Sequence, residues 1–104
     1  MQFHLDTKSF TAERAWDARL IGEVDTVTIR LHWTDRPYRW HVNDGPEVFV
    51  VLAGTVDMHY RQAGEEKIQR LEEGQIFLAE EGDAHVAHPV GEARILVVER
   101  RDSV

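Results

Sequence analysis

Seven glycines punctuate this chain at nearly regular intervals: Gly22, Gly45, Gly54, Gly64, Gly74, Gly82 and Gly91. The apolar runs between them are short. A pair of adjacent parallel strands needs a crossover of about a dozen residues or more, usually a helix, and these gaps leave no room for one. Many short apolar runs with turn residues between them argue for an all-β sandwich or closed barrel.

The alternation supports strands. Val27, Ile29, Leu31 and Trp33 fall on one parity, against Thr26, Thr28, Arg30 and His32 on the other. That is the pattern of a half-buried strand. Tyr38 to Val42 is a second strand, entered after Pro37. Glu47 to Ala53 is apolar on both parities, as expected of a strand covered on both faces. Thr55 to Arg61 alternates again, with Val56, Met58 and Tyr60 on one side. A weak strand carries Ile68 and Leu71 after the turn at Ala63-Gly64-Glu65. Ile76 to Ala79, Ala84 to Ala87 and Ala93 to Glu99 complete the set. One stretch predicts a helix, Phe10 to Leu20, where Ala12, Glu13, Arg14 and Ala15 are good formers and Thr11 could cap them.

Composition narrows the function classes. The 104 residues make one domain, residues 1–104, with no room for a second core. Cysteine is absent, which excludes disulfides, thiolate metal sites and a cysteine nucleophile. Twelve Lys and Arg against 19 Asp and Glu give a net charge of −7, unsuited to nucleic acid or to an anionic membrane surface. The start of the chain lacks the basic and apolar regions of a signal peptide. The longest apolar run, Val48 to Ala53, is far short of a membrane span. A cytoplasmic protein is the expectation.

One constellation carries chemistry. His41 and Asn43 share strand parity, and the turn Asp44-Gly45-Pro46 then reverses the chain into Glu47. Further on, Asp83-Ala84-His85 brings a second imidazole just after a turn. Two imidazoles and a carboxylate are the donor set of a facial triad for divalent iron and its neighbours, and an amide oxygen is a weak fourth donor. By spacing alone, a metal centre and two surface histidines beside hairpins are both open.

His41-x-Asn43-x3-Glu47-x6-Gly54 resembles the first cupin motif, G-x5-H-x-H-x3-E-x6-G. Gly74-x5-Glu80-x-Gly82-x2-His85-x3-Pro89 resembles the second, G-x5-P-x-G-x2-H-x3-N. The order is right, and the intermotif stretch, Thr55 to Glu73, suits a short single-domain cupin with its motifs at 35–54 and 74–89. Four positions depart from the pattern. Asp35 stands at the first glycine, Glu80 at the proline and Pro89 at the closing asparagine. Asn43 stands at the second histidine, and it alone touches the metal shell.

The resemblance implies a cupin-type double-stranded β-helix, or jelly-roll barrel, with the short helical segment N-terminal to it. It implies a site inside the barrel holding one divalent transition metal (Fe, Mn, Co, Ni, Zn or Cu) on His41, Glu47 and His85, with Asn43 as a loose ligand or a substrate donor. By strand alternation Arg39, Phe49, Val51 and Ala87 line the cavity. His32, His59 and His88 fall on the opposite parity and are expected outside it, while Trp33 is expected in the core. Val48, Val50 and Leu52 then point outward and need a cover. A second subunit or the N-terminal segment near Phe10 and Trp16 would supply it, and the family frequently forms homodimers. Catalytic residues are not identifiable from the sequence. The expected function is binding of a small molecule, as a metal-dependent enzyme, as a binding or sensing module, or in a metal-free cavity.

Overall fold

The four strands expected in two pairs fold as two long, bent strands. In the computed structural model, which describes residues 1–103, Glu47 to Gln62 form a single strand and so do Ala84 to Arg100. The elements are β1 (Ala18–Val24), β2 (Val27–Thr34), β3 (His41–Val42), β4 (Glu47–Gln62), β5 (Glu65–Leu71), β6 (Ile76–Ala79) and β7 (Ala84–Arg100). Every pairing is antiparallel.

β4 and β7 pair along almost their whole length, from Glu47 opposite Glu99 to Tyr60 opposite His85. The ladder bends at irregularities on either side of Ala53. Gly54 sits in this corner with φ +88°, and a Cβ there would lie 2.4 Å from the Glu92 carbonyl oxygen. Only glycine fits both the dihedral and the gap. Beyond the bend each long strand changes neighbours. The first half of β4 pairs with β6 and with the second half of β7, which pairs in turn with β2 and then β1. The second half of β4 pairs with β5 and with the first half of β7, which also receives β3. Two sheets sharing two bent strands make the jelly-roll barrel expected from the sequence.

Residues directly opposite in an antiparallel ladder project to the same face. The inner face carries Glu47, Phe49 and Val51 of β4, and Val56 and Met58 beyond its bend. From β7 it carries His85, Ala87, Ala93, Ile95 and Val97. Phe49, Val51, Val56, Met58, Leu71, Ala87, Ala93, Ile95 and Val97 form the packed core behind the site.

Two expectations need correction here. The helix over Phe10 to Leu20 does not form. The one helical element among the described residues is a 3-10 turn, Thr7–Ser9, and Ala18 to Val24 is a strand. The backbone nitrogen of Trp16 donates to the Trp33 carbonyl at 2.9 Å, and Trp33 donates back to Asp17 at 3.2 Å, so the chain is drawn against β2. Trp16 itself has φ +69°, which no helix accepts. Tertiary pairing overrides the local propensity of Ala12 to Ala15.

The second correction is the face of β2. His32 pairs with Ile95, Arg30 with Val97, Thr28 with Glu99 and Thr34 with Ala93, so this polar parity points into the barrel. The apolar parity points out: Ile29 pairs with Val98, Leu31 with Leu96 and Trp33 with Arg94. Alternation marks two faces but does not say which one encloses the cavity. The outer face is apolar because it is itself partly covered. The N-terminal segment is fastened over its Arg94 end, where Arg94 Nε donates to the Phe10 carbonyl at 2.7 Å and the Arg19 guanidinium lies over the Phe10 ring. Trp16 does not cover this face but enters the cavity.

Candidate metal centre

The two-residue strand β3 sets the site. His41 pairs with His85 and Val42 with Ala84. The pairing continues one residue further, with Asn43 donating to the Asp83 carbonyl at 2.8 Å and Gly82 donating to the Asn43 carbonyl at 2.9 Å. The segment from His41 to Asn43 is thereby laid along the turn that precedes His85. Glu47 enters from β4, just past the reversal at Asp44-Gly45-Pro46.

One ligand atom from each of His41, Glu47 and His85 lies within 4.8 Å of the others. His85 Nε2 is 3.2 Å from Glu47 Oε1, and both side chains are almost fully buried. Asn43 is also buried, and its Nδ2 donates to Glu47 Oε1 at 3.2 Å. The opposite amide orientation would set two oxygens against each other, so this assignment is the one the site requires. Burial works against the Glu47 carboxylate. The hydrogen bonds from His85 and Asn43, with His41 nearby, outweigh it and hold the carboxyl below its ordinary value.

Two buried atoms of the cluster, Asn43 Oδ1 and His85 Nδ1, find no hydrogen-bond partner among the described residues. Unpaired buried polar atoms are costly and call for an explanation. An ion taken by the nitrogen that faces Glu47, Nε2, would leave His85 Nδ1 as it is, so the fit rests on the donor set: two imidazole nitrogens and a carboxylate oxygen that converge are suitable for divalent first-row metals. The residues present fit such an ion.

A cavity of about 120 Å³ adjoins the cluster, lined by His41, Glu47, Phe49, His85 and Ala87 together with Trp16, His32, Tyr38, Val97 and Glu99. Phe49 and Ala87 thus stand on its wall. Val51 is fully buried in the core behind it. Arg39 does not line the cavity. It is exposed, with its guanidinium over the Tyr38 ring, because the Tyr38 backbone nitrogen donates to the Ala87 carbonyl and turns Tyr38 to the mouth instead.

Aromatic rings meet edge to face along the wall. Trp16 packs against His32 and Tyr38 with centroids 6.0 and 5.4 Å apart, Tyr38 against His41 at 5.5 Å, and His85 against Phe77 at 5.1 Å. Trp16 is held by Nε1 donating to the Arg36 carbonyl at 2.8 Å, while its own carbonyl lies 2.7 Å from His32 Nδ1. Burial lowers the His32 pKa, so the neutral ring donates Nδ1–H to Trp16 and turns Nε2 away from that bond.

The alternation argument missed Trp16, His32 and Glu99. Glu99 stands opposite Glu47 in the β4–β7 ladder. Burial and the Glu47 charge push its carboxyl up to about 7, against the pull of Arg30. Glu99 shares the parity of Ala93, Ile95 and Val97, and that signal was present in the sequence. His59 and His88 do lie on the outer face, their ring centroids 4.0 Å apart.

The fold is shared with solved structures. A cupin-2 domain containing protein from Shewanella frigidimarina aligns over 94% of this chain and 100% of its own, with TM-score 0.77 and 24% identity. The chain has the fold of a small cupin domain. A cupin superfamily protein from Desulfitobacterium hafniense matches over 93% of this chain and 88% of its own, with TM-score 0.76 and 13% identity. The cupin fold also occurs in a hydroquinone 1,2-dioxygenase solved in complex with Fe3+, which covers 86% of this chain with TM-score 0.77 and 12% identity, this chain spanning 29% of that one. No protein-family model and no curated protein sequence matches the chain. In this cupin barrel, no helix among the described residues is long and apolar enough to cross a membrane.

Proposed function

We propose that this cupin domain binds one divalent transition metal ion through His41, Glu47 and His85 and acts as a metal-dependent enzyme on a small organic molecule held in the adjoining cavity. The observation that carries the reading is the convergence of three ligand atoms within 4.8 Å at a cavity wall. The iron-bound dioxygenase of the same fold supports it.

When bound, the ion supplies a Lewis acid or, if it is iron, an oxygen-binding centre. The chain's own residues do the rest. Asn43 orients Glu47 by donating Nδ2–H to Oε1, and its amide oxygen Oδ1 would be a weak further ligand to the ion. The wall of Trp16, Tyr38 and Phe49 excludes water from the ligand. A cavity of this size suits one small ring, since an apolar cavity of roughly 150 Å³ takes a benzene molecule.

The working form we propose is a cytoplasmic homodimer. Across the outer face, Val48 lies opposite Leu78 and Val50 opposite Ile76. Leu78 and Ile76 are 57% and 62% exposed in the single chain. A row of exposed apolar side chains needs a cover, and a second copy provides a self-complementary one.

Elemental analysis tests the metal. The chain, purified without a histidine tag and reloaded anaerobically with Fe, Mn, Ni, Zn or Cu, is expected to hold about one ion. No metal above background after reloading overturns the reading.

A further inference from the structure

The wall of the cavity carries three imidazoles, and His41 and His85 alone among them belong to the converging ligand group. His32 is the third. It projects inward from β2, opposite Ile95, and is half-buried there. A backbone carbonyl can only accept, so the 2.7 Å contact between His32 Nδ1 and the Trp16 carbonyl places the ring hydrogen on Nδ1. Nε2 of the neutral ring is left with a lone pair. Burial holds the His32 pKa below its ordinary value, against the bond to Trp16, so the neutral ring is the resting form. Among the described residues Nε2 has no hydrogen-bond partner, yet it is not one of the side-chain atoms buried without one. It is therefore open to a visitor, and the cavity that His32 lines is the way in.

Trp16 holds this ring under backbone strain. Its φ is +69°, a left-handed conformation that a bulky residue rarely adopts. That conformation sets the Trp16 carbonyl on His32 Nδ1 while the Trp16 ring meets the His32 ring edge to face, with centroids 6.0 Å apart. Trp16 is itself fixed at two points. Its backbone nitrogen donates to the Trp33 carbonyl at 2.9 Å, and its Nε1 donates to the Arg36 carbonyl at 2.8 Å. Such strain persists only where the surroundings enforce it, and it collects at binding sites. An acceptor whose tautomer and direction are set by a second, clamped residue is suited to recognising a donor.

We propose that His32 is the ligand-recognition residue of this cavity, with Nε2 accepting a hydrogen bond from the hydroxyl or N–H group of a small single-ring molecule. The proposal rests on the reading of the cavity as a ligand site beside a metal, and it names the ligand class. Trp16, Tyr38 and Phe49 pack against the ring of the ligand. The lining residues include Glu47 and Glu99 but no Lys or Arg, so the wall favours a donor over an anion.

Phenol and toluene are suitable probes because they differ at one group, a hydroxyl against a methyl. Long-range 1H–15N NMR reads the His32 ring nitrogens of wild type directly. The affinities of both probes are measured on wild type and on His32→Phe, each metal-free and loaded with Zn2+. In the free protein the hydrogen is expected on Nδ1, and phenol is expected to move the Nε2 resonance while toluene leaves it in place. The ratio of phenol affinity to toluene affinity is expected to fall about tenfold from wild type to His32→Phe, the worth of one hydrogen bond. Both proteins are expected to bind Zn2+. Wild type alone can overturn the proposal, by carrying the hydrogen on Nε2, by binding phenol without a change at Nε2, or by binding no phenol at all. A folded His32→Phe with an unchanged ratio also overturns it. Loss of Zn2+ binding in that folded variant overturns it in favour of His32 as a metal ligand. If wild type holds no metal yet shows the phenol response at Nε2, the metal reading fails and this one stands.

Discussion

His41 and His85 stand directly opposite one another in the β3–β7 ladder, with ring centroids 4.4 Å apart. One imidazole comes from a two-residue strand and the other from the start of a long one, so the pairing of β3 is what brings them together. Replacing His85 by Ala removes one of three strong donors and leaves that pairing intact. The expected outcome is a loss of divalent-metal affinity of more than about a hundredfold, beyond what losing a supporting residue around a metal site costs. Competition against a chromophoric chelator measures it, and a loss of threefold or less would place the ion elsewhere.

Asn43 holds Glu47 through Nδ2 while Oδ1 has no partner among the described residues. Asn43→Asp keeps the shape, removes the donor and sets a second carboxylate against Glu47. The metal-free variant should be less stable than wild type, and the metal-loaded one should recover, because an ion neutralises the pair. The melting shift on adding Zn2+ should therefore exceed that of wild type. Equal shifts would show that residue 43 does not face the ion.

Loss of stability on mild acidification is expected from the outer face. Burial, and next the His59 imidazole packed against it, hold His88 below its ordinary value, while Asp57 and Glu66 pull the other way. The folded chain then binds fewer protons at His88 than the unfolded chain does. Its contribution is complete above about 6.5 and is lost as pH falls below it. The melting temperature of wild type should fall more between about pH 7.5 and pH 5.5 than that of His88→Gln. Parallel curves for the two proteins would rule out this pair as a source of the pH dependence.

The proposed homodimer places Leu78 at its centre. Leu78 is exposed in the single chain, so Lys at this position burdens the fold little and the interface heavily. Light scattering should give about twice the 12.0 kDa chain mass for wild type and the single-chain mass for Leu78→Lys. A wild type of single-chain mass at micromolar concentration would contradict the homodimer.

Much of this molecule was legible from periodicity and spacing. The β class and the strand over Ile76 to Ala79 follow from them, while the grouping of His41, Glu47 and His85 came with the resemblance to the cupin motifs. What was not legible depends on pairing between distant segments. Val27 to Trp33 looked inward because it is apolar, yet its neighbours in β7 turn it outward and turn His32 inward. Ala12 to Ala15 carries real helical propensity, and the backbone of Trp16 is nonetheless taken by Trp33. Glu99 gained meaning when register set it opposite Glu47. Arg39 followed the alternation of its neighbours, and the bond from Tyr38 to Ala87 broke that alternation. In each case local pattern gave two faces or two conformations of comparable cost, and a nonlocal hydrogen-bond ladder chose between them.

The β4–β7 ladder also governs how the chain reaches this state. Both sheets contain both strands, so neither sheet can be completed until segments far apart in sequence have met, with Glu47 against Glu99 at one end and Tyr60 against His85 at the other. A topology dominated by such distant pairings folds slowly for its size, on a scale of roughly milliseconds to seconds. Glu47 and His85 belong to that same ladder, on opposite halves of it. An ion that needs both cannot seed the barrel from a fragment. Bound as proposed, it would arrive at a finished scaffold, and by holding the two halves together it would slow their separation more than it hastened their meeting.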